Sequence, residues 1–305
     1  FYDSFSDQLQ NSIFQQFNQK LADDRNTTDK ANTTSTGDDI ETNDPELLML
    51  IGGDYYQNGN FDKAIHYFEL AAEQDDLNAQ LTLAQIYYTG NNIERDINKV
   101  IHYCSLAAEK NDLEALLTLA DIYYKGDHVV QNINKAIHYY TLAAEQKDLN
   151  AQLTLANIYY NVKDIQKAIH YYELAAKQGK TEAQQSLAAI YYTGEHVERD
   201  INKSIEYYSF AAKQGNIEAQ LTLAIIYFKG DNVKKDINKA IHYFTLAADQ
   251  NDLESQLSLA VIYNCNIYVK KDINKAINYF ELAANQNNSN AQLALASIYY
   301  DGDND

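Results

Sequence analysis

The sequence is poor in the residues that interrupt helices and in those that cross-link small folds. It has one proline, Pro45, and 11 glycines among 305 residues, so long helical stretches can run unbroken. Tryptophan is absent and there are two cysteines. Cys104 and Cys265 stand far apart in the chain, which excludes a disulfide-built scaffold and fits a reducing compartment. Basic residues are scarce: 24 Lys and Arg face 43 Asp and Glu, a formal net charge of −19. Proteins that hold phosphate backbones or anionic lipid present clustered Lys and Arg, so nucleic acid is not an expected partner. The longest purely apolar run, Leu47 to Ile51, is far below the ~18 residues of a spanning helix, so no membrane span is expected.

Catalytic and metal motifs are missing too. There is no phosphate-cradling Gly-rich loop, no paired-His zinc motif, no Cys-x-x-Cys and no strained Ser turn. The many carboxylates lie on helix surfaces, whereas a catalytic pair needs one raised pKa in a desolvated cleft. The expectation is a protein that is not an enzyme, with no catalytic residues, no bound metal and no cofactor.

What the sequence does have is a repeat. The segment Lys-Ala-Ile-His-Tyr and its variants place one slot at Ala64, Val100, Ala136, Ala168, Ser204, Ala240 and Ala276, with spacings of 36, 36, 32, 36, 36 and 36. A fixed period of this size is the mark of a solenoid, whose units bury their apolar faces only by stacking on neighbours. Each unit holds two helical patterns. Helix A carries Ala79, Leu83, Ile86 and Tyr87 on one face. It ends at a loop with Gly90, Gly126, Gly194 or Gly230, followed two residues later by Asn92, His128, His196 or Asn232, residues that tolerate a left-handed backbone. Asp96, Asp200, Asp236 and Asp272 then stand where an N-cap is needed. Helix B follows, with the stripe Ile97, Val100, Ile101, Cys104 and Ala108 and a recurring Ala-Ala pair, Ala107-Ala108 in this unit.

The frame Ala79…Leu83-Ala84-x-x-Tyr87-x-x-Gly90-x-x-Ile93-x-x-Asp96-x-x-Lys99…Tyr103…Ala107-Ala108 resembles the SEL-one-like repeat, a relative of the tetratricopeptide repeat. The resemblance implies an all-α, right-handed α-solenoid over residues 45–301: about seven helix-turn-helix repeats of period 36, two of them shorter, plus a closing helix A. The chain departs from the family before the first Tyr, where only Gly52 keeps the usual glycine and Ala84, Ala120, Ala156, Ala188, Ala224, Ala260 and Ala296 replace it. The repeats from Tyr55 to Ala64 and from Tyr159 to Ala168 have loops four residues shorter, and Tyr268 replaces the second loop glycine of the last full repeat.

Ahead of the array, residues 1–22 read as an arm whose segment 4–22 is an amphipathic helix with Phe5, Leu9, Ile13, Phe17 and Leu21 at four-residue spacing. Lacking basic residues on its polar face, it suits docking to a groove of its own array, another copy or a partner, or covering the first repeat, better than a membrane surface. Residues 23–44 are polar and acidic and read as a flexible linker, closed by Asp44-Pro45-Glu46 as N-cap, first-turn Pro and first-turn acid. Residues 302–305 are a tail; Asp301-Gly-Asp303-Asn-Asp305 resembles the opening of a calcium loop but stops short of the required Gly and Glu, and reads as the loop of a further repeat. A first residue that is Phe points to a processed, recombinant or fragmentary chain. The compartment stays open between the cytoplasm, favoured by cysteine usage, and secretion, in which the sequons at Asn26, Asn32 and Asn287 would matter.

Five of the seven histidines, His66, His102, His138, His170 and His242, share one slot on the polar face of helix B, one per repeat. That spacing cannot converge on one ion, so they are expected to be surface residues. The resemblance implies that helix A lines the binding face. There one slot varies: Gln85, Asp121, Asn157, Ala189, Ile225 and Val261, with Ser297 last. Beside it runs a largely aromatic row, Tyr88, Tyr124, Tyr160, Tyr192, Phe228, Asn264 and Tyr300, either a ligand platform or rings packed between A helices. Polar residues in the first three of these repeats are taken to face solvent, which yields a polar N-terminal groove and an apolar C-terminal one. The expected function is a protein-protein interaction scaffold that binds a basic or amphipathic peptide or helix there; the alternative is a self-assembling structural protein that associates, as an oligomer or filament, through its ends and its arm.

Overall fold

The computed structural model of the chain describes residues 42–90, 93–126, 128–230 and 232–302. The arm positions Phe5, Leu9, Ile13, Phe17 and Leu21, the linker to residue 41, the sequons at Asn26 and Asn32, the loop residue Asn92 and the tail from Asp303 lie outside the described residues. Among the described residues the chain is all-α, an α-solenoid of seven helix pairs and a closing helix. The A helices are α1 (Pro45–Gln57), α3 (Leu77–Thr89), α5 (Leu113–Lys125), α7 (Leu149–Asn161), α9 (Thr181–Thr193), α11 (Ile217–Lys229), α13 (Leu253–Asn264) and α15 (Ser289–Gly302). The B helices are α2 (Phe61–Glu73), α4 (Ile97–Glu109), α6 (Ile133–Glu145), α8 (Ile165–Lys177), α10 (Ile201–Lys213), α12 (Ile237–Ala248) and α14 (Ile273–Asn285). Asp301 and Gly302, expected at the start of a loop and tail, are the last residues of α15.

The helix starts follow from side-chain caps. The Asp96 carboxylate accepts from the Asn98 and Lys99 N–H groups, and Asp200, Asp236 and Asp272 do the same for the N–H three residues on. Asp44 accepts from the Glu46 N–H with Pro45 in the first turn, so the array opens as expected. The A helices α3, α5, α9 and α11 end on left-handed glycines, with His128, His196 and Asn232 also at positive φ. One backbone bond closes every A-to-B loop: Asp96 N–H donates to Tyr87 O at 3.1 Å, and in the two shorter loops Asn60 and Asp164 make the equivalent bond to Tyr55 and Tyr159 at 2.9 Å. Loop length therefore changes without altering how the two helices are tied.

The chain divides into two compact halves, residues 1–151 and 152–305. In the N-terminal half the core is Leu48, Tyr67, Phe68, Leu83, Ile86, Val100, Cys104 and Leu119, with the first alanine of each pair, Ala71 and Ala107, fully buried. In the C-terminal half the same slots are filled by Leu187, Leu223, Leu259, Tyr208, Phe244 and Phe280, with Ala211, Ala247 and Ala283 between the helices. Within each half the close packing is between helices consecutive in sequence, so every repeat leans on its neighbours.

Candidate functional site

Each A helix but α13, where Asn264 takes the second place, ends in two aromatics, and the two face different surroundings. The first stacks on a helix-B tyrosine: Tyr87 on Tyr103, Tyr123 on Tyr139, Tyr191 on Tyr207, Tyr227 on Tyr243 and Tyr263 on Tyr279, with centroids 6.0–6.2 Å apart and planes within 7°. A lysine four residues before that helix-B tyrosine lies over the stack; Lys99 Nζ is 4.3 Å from the Tyr87 centroid and donates to its hydroxyl at 2.7 Å. The histidine slot is exposed, and His66, His102, His138, His170 and His242 each set their ring against the adjacent tyrosine at 5.0–5.5 Å. Sequence reasoning missed this ladder, although Lys-x-x-x-Tyr within helix B signals it. Among the described residues no three His, Cys, Asp or Glu gather to hold a metal ion, and no helix is long and apolar enough to cross a membrane.

The second aromatic belongs to the expected platform. In the N-terminal half Tyr88 and Tyr124 are half-buried; in the C-terminal half Tyr192 and Phe228 are half-buried and Tyr160 is exposed. These rings are not bare. Arg95 lies over Tyr88 at 5.1 Å, Lys163 over Tyr160 at 5.8 Å, Arg199 over Tyr192 at 5.4 Å and Lys235 over Phe228 at 5.3 Å. On their inner side Tyr124 meets Tyr140 edge-on at 6.2 Å and Phe228 meets Phe244 at 6.5 Å. Tyr268 adds a third ring, 4.9 Å from Phe228, with Lys235 between them.

The variable slot has a packing explanation that the sequence reading lacked. Asp121 accepts a hydrogen bond from the buried Tyr140 hydroxyl, and Asn157 from the Tyr172 hydroxyl at 2.5 Å. Ile225 and Val261 stand in repeats whose helix-B slot holds Phe244 and Phe280, rings with nothing to donate. Asp121 and Asn157 thus each meet a hydroxyl, whereas Ala189 in the Tyr208 repeat and Gln85 in the Cys104 repeat do not follow that pairing. The Asp121 side chain also stays 47% exposed beside Lys125, in keeping with the solvent-facing expectation. Gln85 departs from it furthest: it is 8% exposed. Asp121, Asn157, Ala189 and Ile225 are half-buried and Val261 is 53% exposed.

Gln85 borders a small cavity of about 20 Å³ with Leu81, Ala84, Tyr88, Cys104, Glu114, Ala115 and Thr118. Burial and the neighbouring Asp112 push the Glu114 carboxyl up to about 7, and burial pushes the Cys104 thiol up to about 12, which leaves it unreactive. In the C-terminal half two wider depressions, about 490 and 600 Å³, lie where the A-to-B loops enter α10 and α12, bordered by Arg199 and Lys203 and by Lys235 and Lys239.

The Sel1 repeat model matches residues 48–76, 77–112, 113–148, 162–180, 181–216, 217–252, 253–288 and 289–304, well over half of the chain. Among solved structures, the chain is similar to c5321, a protective antigen of uropathogenic Escherichia coli strains displaying an SLR fold, with 27% identity over 84% of this chain and 57% of that one and a TM-score of 0.59. It thus spans little more than half of that antigen's length. A Sel1 repeat protein from Oxalobacter formigenes is similar at 28% identity, over 84% of this chain and 76% of that one, with a TM-score of 0.52. Among curated proteins none matches.

Proposed function

The chain belongs to the Sel1 repeat family, and on that premise we propose that it is a scaffold that binds a peptide or amphipathic helix on its helix-A surface. Sel1-repeat proteins generally mediate protein-protein interaction, and their fold is a noncatalytic scaffold. The observation that carries the finer reading is the openness of apolar side chains on the A helices of the C-terminal half: Val261 is 53% exposed and Ile225 half-buried beside Phe228, Tyr268 and the covering Lys235. An apolar partner face fits there. The excess of 43 acids over 24 bases favours a partner whose other face is basic.

The test uses peptides selected against the full chain from a displayed library. Ile225→Glu combined with Phe228→Ala is expected to weaken binding more than tenfold while the helical circular dichroism is kept; unchanged affinity overturns the reading. A second reading, self-association, has its own support. On α15 Leu293 is 69% exposed, Tyr299 51% and Tyr300 73%, whereas Tyr191, at the Tyr299 slot of an inner repeat, is 8% exposed. Light scattering of residues 1–305 and 45–305 over a concentration series separates the two: assembly of both chains, or of the longer one alone, favours the second, and two monomers favour the first.

A further inference from the structure

The cavity beside Gln85 marks the repeat in which the internal pairing of the fold is broken. The helix-B slot at its floor holds an aromatic ring in the other six repeats, Phe68, Tyr140, Tyr172, Tyr208, Phe244 and Phe280, and Cys104 here. Where that ring is a tyrosine, its hydroxyl meets polar groups of the flanking A helices: Asp121 for Tyr140, Asn157 and Ser186 for Tyr172, Thr222 for Tyr208. The equivalent groups around Cys104 are present, Gln85 on α3 and Thr118 on α5, and the helix-B slot offers them a thiol in place of a phenol hydroxyl. Gln85 Nε2 and Glu114 Oε1 are both buried without a hydrogen-bond partner, and Gln85 as a whole is only 8% exposed. Orphaned buried donors and acceptors are costly, and one of each around a single space defines its complement. An ammonium would satisfy the carboxylate and oppose the amide N–H; a hydroxyl accepts from Gln85 and donates to Glu114.

We propose that this space is a socket for the hydroxyl of a tyrosine in the bound peptide, which enters between α3 and α5 and restores the pairing that Cys104 removes. The inference rests on the reading of the helix-A surface as a peptide-binding face and names one contact of a peptide bound on the N-terminal half. The volume, about 20 Å³, holds one oxygen with its hydrogen and not a ring. The ring stays in the mouth against Leu81 and Tyr88, which line it, and there repeats the edge-on contact that Tyr124 makes with Tyr140 at 6.2 Å. A raised Glu114 pKa fits a carboxyl that waits for a donor. Water is the other source of a hydroxyl of this size, and the test separates them.

The ¹⁵N-labelled full chain is titrated with N-acetyl-tyrosinamide and with N-acetyl-phenylalaninamide, which differ by that hydroxyl alone. Saturable shifts are expected at the Gln85, Glu114 and Thr118 amides, with the phenylalanine compound weaker by roughly three- to tenfold, the worth of a net hydrogen bond. Cys104→Tyr supplies the hydroxyl from within and is expected to abolish the response. If that variant does not fold, Gln85→Leu keeps the size of the space, removes its donor and is expected to equalise the two compounds. Equal affinities in the unaltered chain, a response that survives both variants, or no response because a water holds the space would overturn the proposal. Ile225 and Phe228 lie in the other half of the chain, so failure of the socket and failure of the peptide-binding reading give different results.

Discussion

Glu114 stands in the first turn of α5 with its carboxyl partly withdrawn from water and the Asp112 carboxylate nearby, and both raise its pKa to about 7. An unfolded glutamate titrates near ~4.3, so between that value and about 7 the folded chain binds more protons than the unfolded one. Stability from this group is therefore present at low pH, falls as pH rises across that window and is flat above it. Glu114→Gln removes the titration: chemical unfolding from pH 5 to pH 8 is expected to show the variant gaining on the parent chain as pH rises, and a pH-independent difference would refute it. Gly52 gives a second case. A Cβ there would lie 2.6 Å from Phe68 Cε1 and 2.7 Å from Cδ1, ring atoms of a fully packed core side chain. Gly52→Ala is expected to cost roughly 1–3 kcal/mol in denaturant unfolding by overpacking. The glycine was legible in the sequence as the one place that keeps the family pattern; its reason, the Phe68 ring, was not. The same limit holds for Asp121 and Asn157. Their polarity could be read along the chain, but its cause is a hydroxyl on the neighbouring helix, visible only when the helix-A and helix-B slots are compared pairwise.

At the scale of the element, the loops from helix A to helix B obey local rules, which is why they could be read in advance. A left-handed glycine ends the first helix, a residue at positive φ follows, and an aspartate caps the second. At Gly194 φ is +67°, and an added Cβ would sit 2.7 Å from Arg199 Cβ, the residue whose guanidinium covers Tyr192. Gly194→Ala should cost at least ~1–2 kcal/mol from the left-handed backbone alone. It should also disturb Arg199, which a shift of the Tyr192 resonances would report. Asp236→Ala removes the carboxylate that accepts from Lys239 N–H at 3.0 Å, an expected loss of about 1 kcal/mol in thermal unfolding. The last A-to-B loop was the least legible. Its A helix, α13, ends at Asn264 on an extended Cys265 instead of a left-handed glycine, and Tyr268 leaves the loop to pack on Phe228. Such a contact reaches between repeats, where no local rule applies.

Across the C-terminal half a chain of buried amides ties repeats together. Gln220, 3% exposed, donates to Ala212 O on the preceding helix B at 3.0 Å and accepts from Gln250, which follows the next helix B, at 2.8 Å. Gln184 and Gln256 repeat the pattern, accepting from Gln214 and Gln286 at 2.9 and 2.8 Å. Periodicity showed these glutamines in register, but a glutamine in an apolar face looks like noise until the carbonyl it meets is known. The N-terminal half contains the natural substitution: Leu116 fills the same slot fully buried, and Gln146 donates instead to Asn111 O at 2.8 Å. Because a leucine fits and the outer glutamine can find another acceptor, Gln220→Leu should fold and lose only about 1 kcal/mol, the net worth of a hydrogen bond. The location of the loss is the sharper expectation. The closest packing within each half is between consecutive helices, so a solenoid of this kind transmits a weakened contact to its neighbours and attenuates it beyond them. Amide hydrogen exchange on the variant should accelerate in α10, α11 and α12 and stay near the parent values in α14 and α15. Equal acceleration in all five would mean that the half opens as one cooperative block, and the nearest-neighbour account of its stability would have to be given up.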